Sequence, residues 1–351
     1  MTPMRARIVA PATGDWDTAV AAVAKRQAST ELAADVYFGA AYHAWHRKQG
    51  EPLGILVERE TPLLFAGGLL HAVPEAPGVF DLQTPTGYGG PLVAAELSTD
   101  ELEEAWAVAS ALFASLGVVA ALFRLHPLLG WPSKLPRAAR IIDDRVTVAV
   151  PLEQGAAAAL LRADSRHRNM VGRSERQGVQ VAWAEDATSD WDEFAHLYRA
   201  AMERLDARTE LRFGPEYFED MRTSGVAELA TLRDGAALLA GAIFLSGPRY
   251  AHYHLSARRL DAPNYAMNRL VHAGVERACQ RGLSSLHLGG GIRRDPDDAL
   301  FRFKASVGSE RCSFRLACVV TDEPMFQSLV QKREALLGRP SELLLGYRDS
   351  G

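Results

Sequence analysis

The chain has 351 residues, 48% of them apolar, and its 39 basic and 43 acidic side chains leave a formal net charge of −4. That length exceeds most single cores and divides into two units of about 150 residues. The slight negative charge excludes a broadly basic, nucleic-acid-coating protein and confines any polyanion to a local patch. Three cysteines without CxxC spacing, Cys279, Cys312 and Cys318, exclude a disulfide framework and a structural zinc site and fit a reducing cytosol.

Met1 to Pro11 lacks the sustained apolar core of a signal peptide, so a cytoplasmic protein is expected. Apolar runs at Leu53 to Val57 and Leu63 to Leu70 read as strands, and TPTGYGGP from Thr84 to Pro91 reads as a turn-rich stretch. Ser98 and Glu101 form a capping-box pattern ahead of a helix from about Asp100. The uncharged run Ala105 to Phe123 has the length of a membrane span. Ala and Ser dilute it and Gly117 divides it, so a buried helix, a glycine stop and a buried strand ending at Arg124 are expected instead, with no span. Pro127 to Pro136, including Trp131, Pro132 and Lys134, breaks the periodicity before a strand at Arg145 to Val150. The expected lobes are therefore residues 1–145 and 146–351.

The second half opens with an expected helix from Ala156 to Arg176, then helices near Trp191 to Leu205 and Pro215 to Thr223. Strands follow around Glu228 to Arg233, Ala236 to Ser246 and Tyr250 to Ser256, then a helix near Tyr265 to Gln280, Gly282 as its stop, and a strand from Leu283 to Leu288. Both halves thus run through paired strands, an irregular stretch, a helix, a glycine and a strand, with Gly117 and Gly282 in equivalent places. This pattern predicts a duplicated α/β (α+β) unit with mixed sheets: two related lobes and a cleft between them.

The segment Leu300 to Gly308, LFRFKASVG, carries the first candidate chemistry. If it is helical, Leu300, Lys304 and Val307 share a face, which puts an ammonium on the apolar side. Such a lysine either packs its stem and snorkels to water or stabilises an electrophile or anion at a site. Arg162, Arg166, Arg173 and Arg176 fall within an arc of about 80° on a single helix, a basic stripe that reads either as a solvated face or as a contact for phosphate or RNA backbone. In AHYHLS, strand alternation puts His252, His254 and Ser256 on one side and Tyr253 and Leu255 on the other. The two histidines lack a third ligand nearby, so no metal is expected. The chain contains no G-x-S-x-G elbow, and neither GYGGP nor Gly289-Gly290-Gly291 makes a P-loop or a G-x-G-x-x-G loop.

The order of GYGGP at Gly87 to Pro91, Tyr198 with Ala-Met-Glu-Arg204, PEYF at Pro215 to Phe218, YHLSA at Tyr253 to Ala257, the helix opened by Asn264, LHLGGG and FKASVG resembles the FemABX family. The likeness runs from roughly Asp81 to Val320. These are aminoacyl-tRNA-dependent peptidyl transferases built from two tandem lobes like the GNAT acetyltransferase fold. The resemblance implies transfer of an amino acid from the 3′ end of a charged tRNA to an amine on an anionic acceptor, a peptidoglycan precursor or a small-molecule or peptide metabolite. It implies that Lys304 steadies the ester or the oxyanion, that Arg204 holds the acceptor's anionic group, and that Tyr253 lies near the acceptor, with Tyr88 and Gly89 of the GYGGP turn also binding substrate. An aminoacyl ester is already activated, so no cofactor or metal is expected, and His252, His254 or the substrates' own groups take the amine proton. The chain has no long coiled-coil arm such as some cell-wall members carry, and the Arg162 to Arg176 stripe is the candidate substitute for tRNA binding. The alternatives are an acyl-CoA-dependent N-acyltransferase of GNAT type, against which the lack of an R/Q-x-x-G-x-G/A loop counts, and a non-catalytic ligand-binding double-GNAT protein.

Overall fold

The computed structural model describes residues 2–11, 14–26, 35–129, 134–184 and 188–351; Trp131 and Pro132 of the expected linker lie outside them. The chain forms two compact units, Met1–Asp144 with Phe314–Gly351, and Arg145–Ser313. Residues 314–351 group with the first unit, although the second lobe was expected to continue to residue 351. The reason lies in the last strand and helix, which return to the first unit's sheet.

The first unit opens with β1 (Arg5–Val9), α1 (Asp15–Ala24), α2 (Ala40–Trp45), β2 (Glu51–Glu58), β3 (Pro62–Ala72), β4 (Phe80–Gln83), β5 (Leu92–Val93), α3 (Thr99–Ser115) and β6 (Val118–Leu125). The capping box forms as the sequence predicts. Ser98 Oγ accepts from the Glu101 amide at 3.3 Å, and Glu101 Oε2 accepts from the Ser98 amide at 3.1 Å. Such reciprocal capping satisfies donors that the first helical turn leaves open. The run resembling a membrane span is α3, Gly117 and β6, and among the described residues no helix is long and apolar enough to cross a membrane. Gly117 ends α3 at φ 74°, and a Cβ there would meet the Gly78 carbonyl oxygen at 2.4 Å, so only glycine fits this turn. Strand β4 runs parallel to β6, from Phe80 opposite Val118 to Gln83 opposite Leu122. Helix α3 buries Ala105, Trp106, Ala109 and Phe113 against Ile55, Leu64, Ala121 and Phe123 of the sheet.

Strand β7 (Arg140–Pro151) leads into the second unit, starting earlier than the expected Arg145. There follow α4 (Gly155–Arg162), α5 (Ser165–Arg176), β8 (Val181–Ala184), α6 (Thr188–Arg204), α7 (Pro215–Thr223), β9 (Ala227–Asp234), β10 (Ala237–Ser246), β11 (Tyr250–Arg258), α8 (Ala266–Gln280), β12 (Ser285–Gly289) and α9 (Ala299–Val307). Sheet order in this unit is β7-β12-β11-β10-β9-β8. Strand β11 is parallel to β12 and antiparallel to β10. Parallel neighbours need a crossover, and α8 supplies it, burying Leu270, Val271 and Val275 against Ala242, Phe244 and Ala251.

The single helix expected from Ala156 to Arg176 is two helices. Ala163 and Asp164 both take extended backbone, and the Asp164 amide donates to the Ser306 carbonyl at 2.8 Å, which ends α4 and makes Asp164 the N-cap of α5. Strand β13 (Glu310–Val320) carries the chain back to the first unit, where residues 315–320 pair antiparallel with β6. Helix α10 (Glu323–Leu337) then packs Phe326 and Leu329 on Val119, Leu122 and Cys318. The tail follows: Tyr347 Oη donates to Asp81 Oδ2 at 3.0 Å and Arg348 Nε donates to the same oxygen at 2.5 Å.

Candidate active site

The second unit opens its sheet between β11 and β12. Their parallel register holds for Tyr250 with Ser285, Ala251 with Leu286 and His252 with His287. Beyond that, β11 runs on to Arg258 beside β10, while β12 ends at Gly289, opposite Val148 of β7. Two parallel strands that part leave a gap whose walls carry backbone groups without a neighbouring strand, a place for a substrate to lie.

A bulge aims the side chains at this gap. Ile243 pairs with Leu255 but Phe244 pairs with Tyr253, so His254 is an extra residue in β11. A bulge breaks the period-2 alternation. Ser256 therefore shares the face of Tyr253, whose Oη donates to Ser256 Oγ at 2.6 Å. The expected grouping of Ser256 with the two histidines is corrected accordingly. Tyr253 packs on Phe244 at 5.6 Å between ring centroids, on the α8 side of the sheet. Burial pushes its phenol up to about 12, against the effect of the hydrogen bond it makes with Ser256, so it stays neutral.

Lys304 reaches the same gap from α9. The segment is helical as expected, and Lys304 and Val307 are its buried residues. Lys304 is 9% exposed, its Nζ donates to the Gly290 carbonyl at 2.8 Å, and it lies 6.0 Å from the centre of the Tyr253 ring. Burial lowers its pKa to about 8, with Asp298 acting upward and Arg145 downward. The ammonium is therefore still the main form at pH 7, held in a partly desolvated position where its field is strong.

His252 and His254 lie on the opposite face. His254 Nε2 is 2.9 Å from Tyr217 Oη on α7, and burial, reinforced by His252, pushes His254 down to about 3. His252 meets His287 edge to face at 5.8 Å, and His287 Nε2 lies 2.9 Å from Thr147 Oγ1 on β7. Helices α6 and α7 cover this side, and Arg204 is the exposed last residue of α6. Lys304 and Tyr253 are thus brought together, whereas the two histidines belong to a separate polar row.

The arginine stripe is divided. Arg166, Arg173 and Arg176 stay together on the exposed face of α5, opposite buried His167, Val171 and Ser174, and Arg173 sits over the Tyr265 ring at 5.8 Å. Arg162 belongs to α4 and donates to Gln154 Oε1 at 2.7 Å and the Pro151 carbonyl at 3.0 Å. In the first unit Tyr88 is half-buried and packs edge to face on Tyr37 and Phe314, at 5.3 and 5.2 Å. Gly89 there bridges to Leu125 and accepts from the His126 amide at 3.0 Å.

Sequence reading missed Arg145, Asp298, Tyr217 and the Gly290 carbonyl. Asp298 had a legible signal, an aspartate directly before a helix; the others depend on strand pairing that no local pattern announces.

Comparison with known proteins matches an acetyltransferase (GNAT) domain to residues 164–304, from the N-cap of α5 to Lys304. A search of the curated proteins finds no match. Among solved structures the chain is similar to FemX, with a TM-score of 0.71 at 13% identity over 92% of this chain and 99% of that one. It is also similar to a tandem GNAT protein from the clavulanic acid biosynthesis pathway, with a TM-score of 0.54 at 13% identity over 91% and 98% of the two chains. L-PGS from Bacillus licheniformis matches with a TM-score of 0.53 at 13% identity over 77% and 85%. In fold the chain resembles FemX and a tandem GNAT protein, and residues 164–304 of its second unit match an acetyltransferase (GNAT) domain.

Proposed function

We propose that this FemABX-like chain is an aminoacyltransferase, joining an amino acid carried as an ester on tRNA to the amine of an anionic acceptor, a peptidoglycan precursor or a smaller metabolite or peptide. The observation that carries this reading is the Lys304 ammonium, buried at the open end of β11 and β12 and hydrogen-bonded to the Gly290 carbonyl. An aminoacyl ester needs orientation and a cation for the oxygen that gains charge as the amine attacks. The new C–N bond forms, the ester C–O bond breaks, and the amine proton ends on the leaving 3′ oxygen. His254, at about 3, is too weak a base to collect that proton. In this reading Arg204 meets the acceptor's anionic group, and Arg166, Arg173 and Arg176 meet tRNA phosphates. The reaction requires no metal or cofactor, and its donor places the protein in the cytoplasm. The fold likeness to FemX supports the reading.

The test is to incubate the protein with small molecules from a cell extract and either labelled aminoacyl-tRNAs or labelled acetyl-CoA. RNase-sensitive transfer of label into an amide establishes the reading. A second reading, an acyl-CoA-dependent N-acyltransferase, is favoured by the acetyltransferase domain match. Label moving only from acetyl-CoA replaces the first reading with the second.

A further inference from the structure

The turn that follows β12 is gripped by two opposite charges. Asp298, 4% exposed, accepts from the Phe301 amide of α9 at 2.9 Å through Oδ1 and from the Arg293 amide at 3.2 Å through Oδ2. From β7, Arg145 Nη1 donates to the carbonyls of Gly291 and Ile292 at 2.9 and 3.1 Å. A Cβ on Gly291 would meet Asp298 Oδ1 at 2.5 Å, so the turn is wrapped around the carboxylate. The carbonyl one residue earlier, that of Gly290, is the acceptor of the Lys304 ammonium.

We propose that Asp298 is the positioning residue for Lys304: it ties the Gly290 turn to the first turn of α9 and faces the ammonium with a fixed negative charge. This rests on the reading of Lys304 as the group that steadies the oxyanion. The charged and titratable groups around the ammonium support the assignment. Asp298 on its own helix favours the charged form, and Arg145 on β7 opposes it. Tyr253 on β11 is held neutral, and from α5 Asp164 meets α9 through its backbone amide. Burial works against the Asp298 carboxylate, but the amides of Phe301, Arg293, Ile292 and Leu300 hold it below the usual range, so it stays ionised.

The chain has five lysines, Lys25, Lys48, Lys134, Lys304 and Lys332, which makes the side-chain carbon signals of lysine-labelled protein separable by NMR. Asp298→Asn removes the charge and keeps a capping residue. With the Lys304 signal assigned from Lys304→Arg, the variant's Lys304 midpoint should move to lower pH and the other four should stay. Asp298→Ser, also a capping residue, repeats the comparison if Asp298→Asn does not accumulate. An unmoved Lys304 midpoint overturns the assignment. The transfer assay separates this inference from the functional reading, because the alkaline limb of kcat/KM should fall in step with the NMR midpoint. An NMR shift without a matching limb keeps Asp298 as the positioning residue and removes the oxyanion role of Lys304.

Discussion

Tyr217 Oη and His254 Nε2 lie 2.9 Å apart on the face of β11 opposite Tyr253, a hydrogen bond that engages an imidazole already held neutral by burial and by His252. With its pKa near 3, the imidazole is neutral across the physiological range. Tyr217→Phe should therefore cost stability, roughly 1 kcal/mol for the missing buried hydrogen bond, and leave the rate within about threefold. The check is urea unfolding beside the transfer assay. A tenfold fall in kcat with unchanged stability would make the pair part of the chemistry.

Lys304→Ala should lower turnover at least tenfold, about 1.4 kcal/mol in the barrier, with the fold intact by circular dichroism. An unchanged rate would remove Lys304 from the mechanism.

The same lysine carries a stability prediction. Its folded pKa, about 8, lies below the unfolded value of 10.5, so the folded state binds fewer protons between those values. The cost is fully present below about pH 8, on the order of 3 kcal/mol, and fades as pH rises to 10.5. Lys304→Met should thus be at least as stable as the parent at pH 7, with the advantage shrinking at higher pH. Denaturant titrations at pH 7 and pH 9.5 measure it. A less stable Met variant at pH 7 would mean that the ammonium helps to hold the fold.

Replacing Arg166, Arg173 and Arg176 together by Gln should weaken tRNA binding. It should also flatten the dependence of log K on log salt by about 0.7 to 0.9 for each phosphate that the variant no longer neutralises. Arg162→Gln alone should change little, since that guanidinium, at the end of α4, is bonded to the Gln154 side chain and the Pro151 carbonyl. Filter binding at several salt concentrations decides, and equal slopes for the triple variant and the parent would make the α5 face a solvated surface.

Ser98→Ala should cost about 1 kcal/mol, because it opens the capping box of α3. A thermal midpoint unchanged within error would show that the cap is idle.

Much of the fold is readable because it rests on local signals. The box at Ser98, the stop glycines Gly117 and Gly282 at φ 74° and 70°, and the period of α9 each depend on a few neighbouring residues. The same period puts Lys304 on a buried face without reference to any remote partner. What local reasoning misjudges depends on such partners. The break at Ala163 reflects a hydrogen bond from Asp164 to Ser306, and the position of Ser256 reflects a bulge opposite β10. Strict alternation therefore assigns the wrong neighbours to His254, and a single helical wheel joins Arg162 to arginines on another helix. The return of residues 314–351 to the first unit leaves no local trace at all, since antiparallel pairing with β6 is a long-range event.

That return also orders events on the ribosome. All of residues 145–313 are added to the chain before Phe314, while β6 still lacks its β13 neighbour. Asp81 must wait longer, until Tyr347 and Arg348 have been made. Of the two units, the one begun first is thus the one completed second. A nascent chain stalled before residue 314 should expose the bare edge of β6 to chaperones.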